Sequence, residues 1–145
     1  MSAITMLDRA PIGATVEWSD GTARPPEHHV ATLYQWRRNN GCGVLVRKRG
    51  GQICNQNPLF MVREGEAIRT FPLNSALHFR IASRPPVGSV RIFDGDQSHA
   101  LVLHVADDWP DAVAWLDAHP LPNATAREVG ADEVAVDHVE GRVAA

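Results

Sequence analysis

The sequence predicts an α+β fold, a single domain in which two to three helices pack on a mostly antiparallel sheet. Three observations carry this. Short runs of alternating apolar and polar residues recur along the chain, several joined by brief Gly- or Asp-containing turns. Long helical stretches are few and do not alternate with every strand, which a doubly wound parallel sheet would require. The 145 residues suit one domain. A chain of that size buries about two-thirds of its unfolded surface and needs neither disulfide nor metal to fold.

Residues 14–19, ATVEWS, alternate and set Val16 and Trp18 on one face. An Asp-Gly turn follows in SDGT. The stretch RPPEHHVATLYQWRRNNG reads as a helix opening at Pro25 or Pro26, with Glu27 near its positive end, Arg37 and Arg38 near its negative end, and Gly41 as its cap. At 100° per residue Val30, Leu33, Tyr34 and Trp36 share one face, which is expected to be core. GVLVRKR is a strand, and Gly50-Gly51 reads as a two-residue hairpin turn into QIC. Pro58 argues against a central strand at NQNP, residues 55–58.

Strand character returns at 59–64 and 67–71. Residues 76–83, ALHFRIAS, alternate with Leu77, Phe79 and Ile81 inward and His78 and Arg80 outward. The break at SRPPVG, 83–88, reads as a loop and not as an interdomain linker. SVRIF (89–93) and HALVLHVA (99–106) flank DGDQS as a hairpin, and the two-sided apolar run ALVLHV predicts a central strand. ADDWPDAVAWLDAHP is the clearest helix. Asp107 or Asp108 caps it, Pro110 lies in its first turn, and Pro120 ends it; its expected buried stripe is Trp109, Ala112, Val113 and Leu116. A short strand at 124–129 precedes a short C-terminal helix capped by Asp132 and stopped by Gly141.

The hydrophobic and charged fractions are those of an ordinary globule. No apolar run approaches the roughly 20 residues that span a bilayer. The opening MSAITMLDRAPIG lacks the basic and apolar regions of a secretory signal. The expectation is a cytoplasmic protein with reduced thiols and no membrane contact. The net charge of −3 hides an asymmetry. Residues 1–93 carry 12 basic against 6 acidic side chains, and residues 94–145 carry 2 against 11. Within 24–91 the excess is +8, and every basic residue but Lys48 is arginine, whose planar fork matches carboxylates and phosphates.

The cysteines and histidines invite a metal reading that spacing does not support. Cys42 and Cys54 are not a close Cys-x-x-Cys pair. With the turn at Gly50-Gly51, Arg49 would face Gln52, Arg47 would face Cys54 and Cys42 would face Leu59. The two sulfurs would then lie about 16 Å apart, as separate free thiols. His28 and His29, placed on a helix, would diverge by 100° and lack the His-Glu-x-x-His spacing. His78 lies beside Arg80 on a solvent face, and His104 sits in an apolar strand. DGDQSH fails the calcium-loop pattern, since position 6 is His99 and position 12 is Val105. Glu64 and Glu66 read as solvent-facing strand residues. Nucleophile elbows, Walker loops and dinucleotide fingerprints are absent.

The expectation is therefore a small non-enzymatic binding protein with no metal and no cofactor. Its most specific form is an anionic partner, nucleic acid or acidic protein, held by Arg37, Arg38, Arg47, Lys48, Arg49 and Arg80 around the hairpin. One alternative is a self-associating or protein-partner module, with homo-oligomer formation. The other is a small enzyme centred on His78 or His104, which requires a pocket where a histidine meets a carboxylate or thiol.

Overall fold

A computed structural model describes residues 1–49, 58–96 and 100–132. It is α+β, with three helices and two antiparallel sheets of five and three strands. Backbone contacts divide the chain into two compact units, Met1–Arg84 and Pro85–Ala145, at a step inside SRPPVG. Among the described residues, no helix is long and apolar enough to cross a membrane.

The first unit opens with a helix the periodicity did not announce, α1 (Ala3–Arg9), too short to show an apolar repeat. Ser2 caps it by accepting from the Thr5 amide at 3.3 Å. The strands β1 (Thr15–Ser19), β2 (Gly41–Arg49), β3 (Leu59–Glu64), β4 (Ala67–Pro72) and β5 (His78–Ser83) form the larger sheet in the order β4-β3-β2-β1-β5. One sheet face buries Val16, Trp18, Leu45, Phe60, Val62, Phe71 and Phe79, and α1 covers it with Ala3, Met6 and Ala10. Phe60, Phe71 and Phe79 meet with ring centroids 5.2–5.4 Å apart, within the range of favourable aromatic pairs. The chain start is tied down as well: the Met1 ammonium donates to the Phe79 carbonyl at 2.7 Å.

The alternation expected for 14–19 and 76–83 holds, with Phe79 buried and His78 and Arg80 exposed. The expected Gly50-Gly51 register does not. Arg49 pairs with Leu59 and Arg47 with Met61, in place of the expected Gln52 and Cys54. That register sets Leu45, Phe60 and Val62 on the core face together, and a one-residue slip would turn Phe60 and Val62 to the other face. A shift between Leu45 and Arg47 lets two consecutive residues, Leu45 and Val46, both be buried. The Gly50-Gly51 turn itself and Cys54 lie outside the described residues.

The helix expected from Pro25 begins five residues later, as α2 (Val30–Asn39). The His29 amide donates to the Pro26 carbonyl at 3.0 Å, so a tight turn occupies the place of a first helical turn. Gly41 starts β2 and does not serve as a cap residue. The expected core face of α2 is also corrected: Leu33 is buried, but Val30 is 74% and Tyr34 62% exposed. The helix is tied to the sheet at its C-terminal end. The Trp18 indole N–H donates to the Arg38 carbonyl at 3.3 Å, and Arg69 donates to the same oxygen.

In the second unit β6 (Val90–Asp94), β7 (Val102–Ala106) and β8 (Ala124–Glu128) pair in the order β7-β6-β8. Among the described residues β8 joins β6 on the side away from β7, so the two-sided apolar run stands at one end of the row β7-β6-β8. The helix α3 (Trp109–Ala118) is capped by Asp108, whose side chain accepts from the Asp111 amide at 2.9 Å. Its inward stripe is Ala112, Trp115 and Leu116, against Val90, Ile92 and Ala106, while Trp109 and Val113 are exposed. The helix is rotated from the expected stripe, and Trp115 stacks on His104 of β7 with near-parallel rings at 5.2 Å. Of the expected C-terminal helix, residues 133–141 lie outside the described residues.

Candidate functional site

The ends of three strands meet where β1 finishes and β2 and β5 begin. Pairing sets Glu17 opposite Cys42 on one side and opposite Arg80 on the other, with Ser19 opposite His78. All five side chains therefore belong to the sheet face away from Trp18 and Phe79. The last turn of α2 closes this corner with Trp36 and Asn40. Together these residues line a cavity of about 490 Å³, with Trp18, Gly41 and Phe79. Aromatic walls with a few convergent polar groups are the usual make-up of a small-molecule site.

Local hydrogen bonds fix the corner. Asp20 Oδ1 accepts from the Thr22 hydroxyl at 2.6 Å, the Thr22 amide at 2.9 Å and Asn40 Nδ2 at 3.1 Å. These bonds, those from Thr22 first, favour the carboxylate and hold the Asp20 carboxyl below its ordinary value. Asn40 Nδ2 also donates to the Trp36 carbonyl at 2.9 Å, and the Trp36 indole donates to the Thr22 carbonyl at 3.1 Å. The indole is thus held in place by the fold itself.

The glycines flanking Cys42 permit this packing. A Cβ at Gly41 would stand 2.8 Å from Trp18 Cζ2, and one at Gly43 would run into the Arg63 carbonyl. The GCG triplet is thus explained by close approach on the core face, with Cys42 turned the other way. Trp18 in turn packs on Phe71 at 5.1 Å, with the Arg69 guanidinium 5.3 Å from its ring centroid.

Charge in the cavity is concentrated in one pair. Arg80 Nε donates to Glu17 Oε2 at 2.9 Å, and Arg80 Nη2 reaches the same oxygen. The Arg80 side chain is 68% exposed, so the pair is solvent-screened and easily exchanged. His78 lies two residues along β5 from Arg80 on the same face, about 7 Å away. Cys42 and His78 are separated by β1 and two strand positions, on the order of 12 Å between Cα atoms. A nucleophile and its base need hydrogen-bond contact, and this corner does not provide it.

The six basic residues singled out in the sequence fall in several places. Arg37 and Arg38 are exposed on the last turn of α2. Arg47 and Arg49 share the outer sheet face but are half-buried, toward the end of β2 opposite the cavity. Lys48 points to the core face, where its ammonium donates to the Ala10 carbonyl at 2.7 Å and closes the end of α1. Arg80 alone of the six lines the cavity. Sequence reasoning placed His78 and Arg80 outward but missed their meeting with Glu17, Cys42 and Trp36, which depends on β1 lying between β2 and β5.

The remaining histidines are accounted for elsewhere. His28 and His29 precede α2, contrary to the expectation that both lie on it, and their rings meet edge-on at 4.3 Å. In the second unit Trp115 is sandwiched between His104 and His119, the latter at 4.1 Å. Among the described residues, no three His, Cys, Asp or Glu side chains gather as a metal would need. The second unit also has an open concavity of about 620 Å³ around Asp94, Asp96 and Asn123. It is larger, but it lacks an aromatic wall.

Compared with known proteins, the chain matches the family model described as "Uncharacterised conserved protein UCP036055" over residues 1–133, and it belongs to that family. No curated protein and no solved structure matches it.

Proposed function

We propose that this member of the family is a non-enzymatic binding protein whose ligand is a small anion with a flat apolar body. The ligand sits in the Glu17–Trp36–Cys42–His78–Arg80 cavity. One observation carries the reading: an exposed guanidinium, bound through two of its nitrogens to a single Glu17 oxygen, shares a cavity with a fixed indole. Arg80 Nη1 remains to receive a carboxylate, His78 adds a second donor, and Trp36 offers an apolar wall. The exposed Cys42 thiol suits a reducing compartment such as the cytoplasm.

Isothermal titration with a series of aromatic carboxylates, beginning with benzoate and salicylate, tests this. Arg80→Ala should weaken binding by about ten-fold or more, the worth of a charge-assisted hydrogen bond. Glu17→Gln removes the internal competitor and should strengthen it by up to about five-fold, since an exposed ion pair is worth at most about 1 kcal/mol. Arg47→Ala should change nothing. Failure of the whole series to bind, or equal binding by Arg80→Ala, would overturn the reading.

A second reading is favoured by the register, which sets Arg47, Arg49, Arg63 and Arg80 on one sheet face. A polyanion lying across that face would bind with steep salt dependence and would lose affinity in Arg47→Ala as well. A duplex oligonucleotide titrated at two salt concentrations separates the two.

A further inference from the structure

The opening turns of α2 expose Val30 and Tyr34 on one face, beside the buried Leu33. Val30, Leu33, Tyr34 and Arg37 follow the i, i+3, i+4, i+7 spacing of one helix face. With Glu27 they line a shallow concavity of about 400 Å³ whose floor is the buried Leu33. Val30 and Tyr34, both more than 60% exposed, are neighbours on one helix face.

The geometry points to a second copy of this chain as the partner, docked α2 against α2 in antiparallel fashion about a twofold axis that crosses the Val30–Tyr34 face at the level of Thr32 along the helix. The patch is self-complementary in that arrangement and in no parallel one. An axis at Thr32 sets residue n against residue 64 − n of the other copy. Val30 then meets Tyr34, and Glu27, which lies in the turn before the helix and lines the same concavity, is brought toward the other copy's Arg37, twice over by symmetry. Opposed helix dipoles favour the same orientation. Within one chain the Glu27 carboxylate has only a loose contact with Arg24 at 3.6 Å and is 87% exposed, so it can take a new partner at little cost. A different protein would have to supply an apolar stripe with a cation and an anion at matching ends; a second copy does so by construction. One helix per subunit makes a small interface, of the class that associates in the micromolar to millimolar range. This inference is independent of the ligand proposed for the cavity.

Sedimentation velocity on the full chain from about 10 to about 500 µM tests it. The weight-average mass should rise from the 15.9 kDa of one chain towards twice that value. Tyr34→Asp should weaken association by about ten-fold or more, as loss of a central aromatic anchor does. Glu27→Arg and Arg37→Glu should each weaken it, and the double swap should restore it. Circular dichroism on each variant separates loss of association from loss of folding, and the restored double swap shows that its two parent substitutions are tolerated. A chain that stays monomeric throughout would overturn the proposal. So would a dimer indifferent to Tyr34→Asp, or one that the double swap fails to rescue, because either assigns the contact to another surface.

Discussion

Gly41→Ala reports directly on the packing that frames the cavity. The glycine backbone lies in a region any residue adopts, so the substitution adds only a methyl group. That methyl would stand 2.5 Å from Glu64 Oε2, 2.8 Å from Trp18 Cζ2 and 3.1 Å from Trp18 Cε2. The Glu64 carboxylate is the end of a flexible side chain and can swing away. Trp18 cannot: it is 3% exposed, packed on Phe71, and held through its indole N–H to the Arg38 carbonyl. Forcing a methyl group into such a site costs about 1–3 kcal/mol. Stiffening of the unfolded chain returns about 0.4–1 kcal/mol. The net loss is between about 0 and about 2.6 kcal/mol, or a fall in Tm of up to roughly 10 °C for a chain of this length. Urea unfolding of wild type, Gly41→Ala, Trp18→Phe and the double variant forms a cycle. If the clash is with the indole, Gly41→Ala should cost markedly less in the Trp18→Phe background. Equal cost in both backgrounds, or a stabilised Gly41→Ala, would refute the reasoning.

Two further outcomes follow from local hydrogen bonding. Asp20 has its carboxyl held below the ordinary value of 3.8, chiefly by Thr22 and Asn40, so the unfolded chain protonates there first as pH falls. Its contribution is complete above that value and is lost as pH drops through the depressed native one. The urea midpoint of wild type should therefore fall more steeply between about pH 5 and about pH 3 than that of Asp20→Asn; parallel curves would remove Asp20 from the acid response. Asp108→Ala deletes the acceptor for the Asp111 amide and should cost about 0.5–2 kcal/mol, read from thermal unfolding followed by circular dichroism.

Much of the local structure was legible because each signal is carried by neighbours in sequence. The alternation of Val16 and Trp18, and of Phe79 between His78 and Arg80, marks faces of strands whatever lies beside them. Asp108 followed by Pro110 and Asp111 defines a helix start by capping chemistry alone. What failed was decided between distant segments. Among the described residues β8 joins β6 on the side away from the apolar run 100–105, a neighbour that the composition of that run does not name. The wheel of α2 identifies a stripe but cannot say what covers it, and Val30 and Tyr34 are left exposed.

By itself the sequence determined the α+β class, the inward and outward residues of β1 and β5, the cap of α3 and the excess of arginine. Tertiary structure alone decided that β1 lies between β2 and β5. That order brings Glu17, Cys42, His78 and Arg80, up to 63 residues apart along the chain, around one indole. It also turned Lys48 inward and spread the other arginines over a helix and the far end of a sheet. The physical reason is that periodicity fixes which face a residue takes, whereas which strands become neighbours is fixed by long-range burial of the Trp18–Phe60–Phe71–Phe79 cluster.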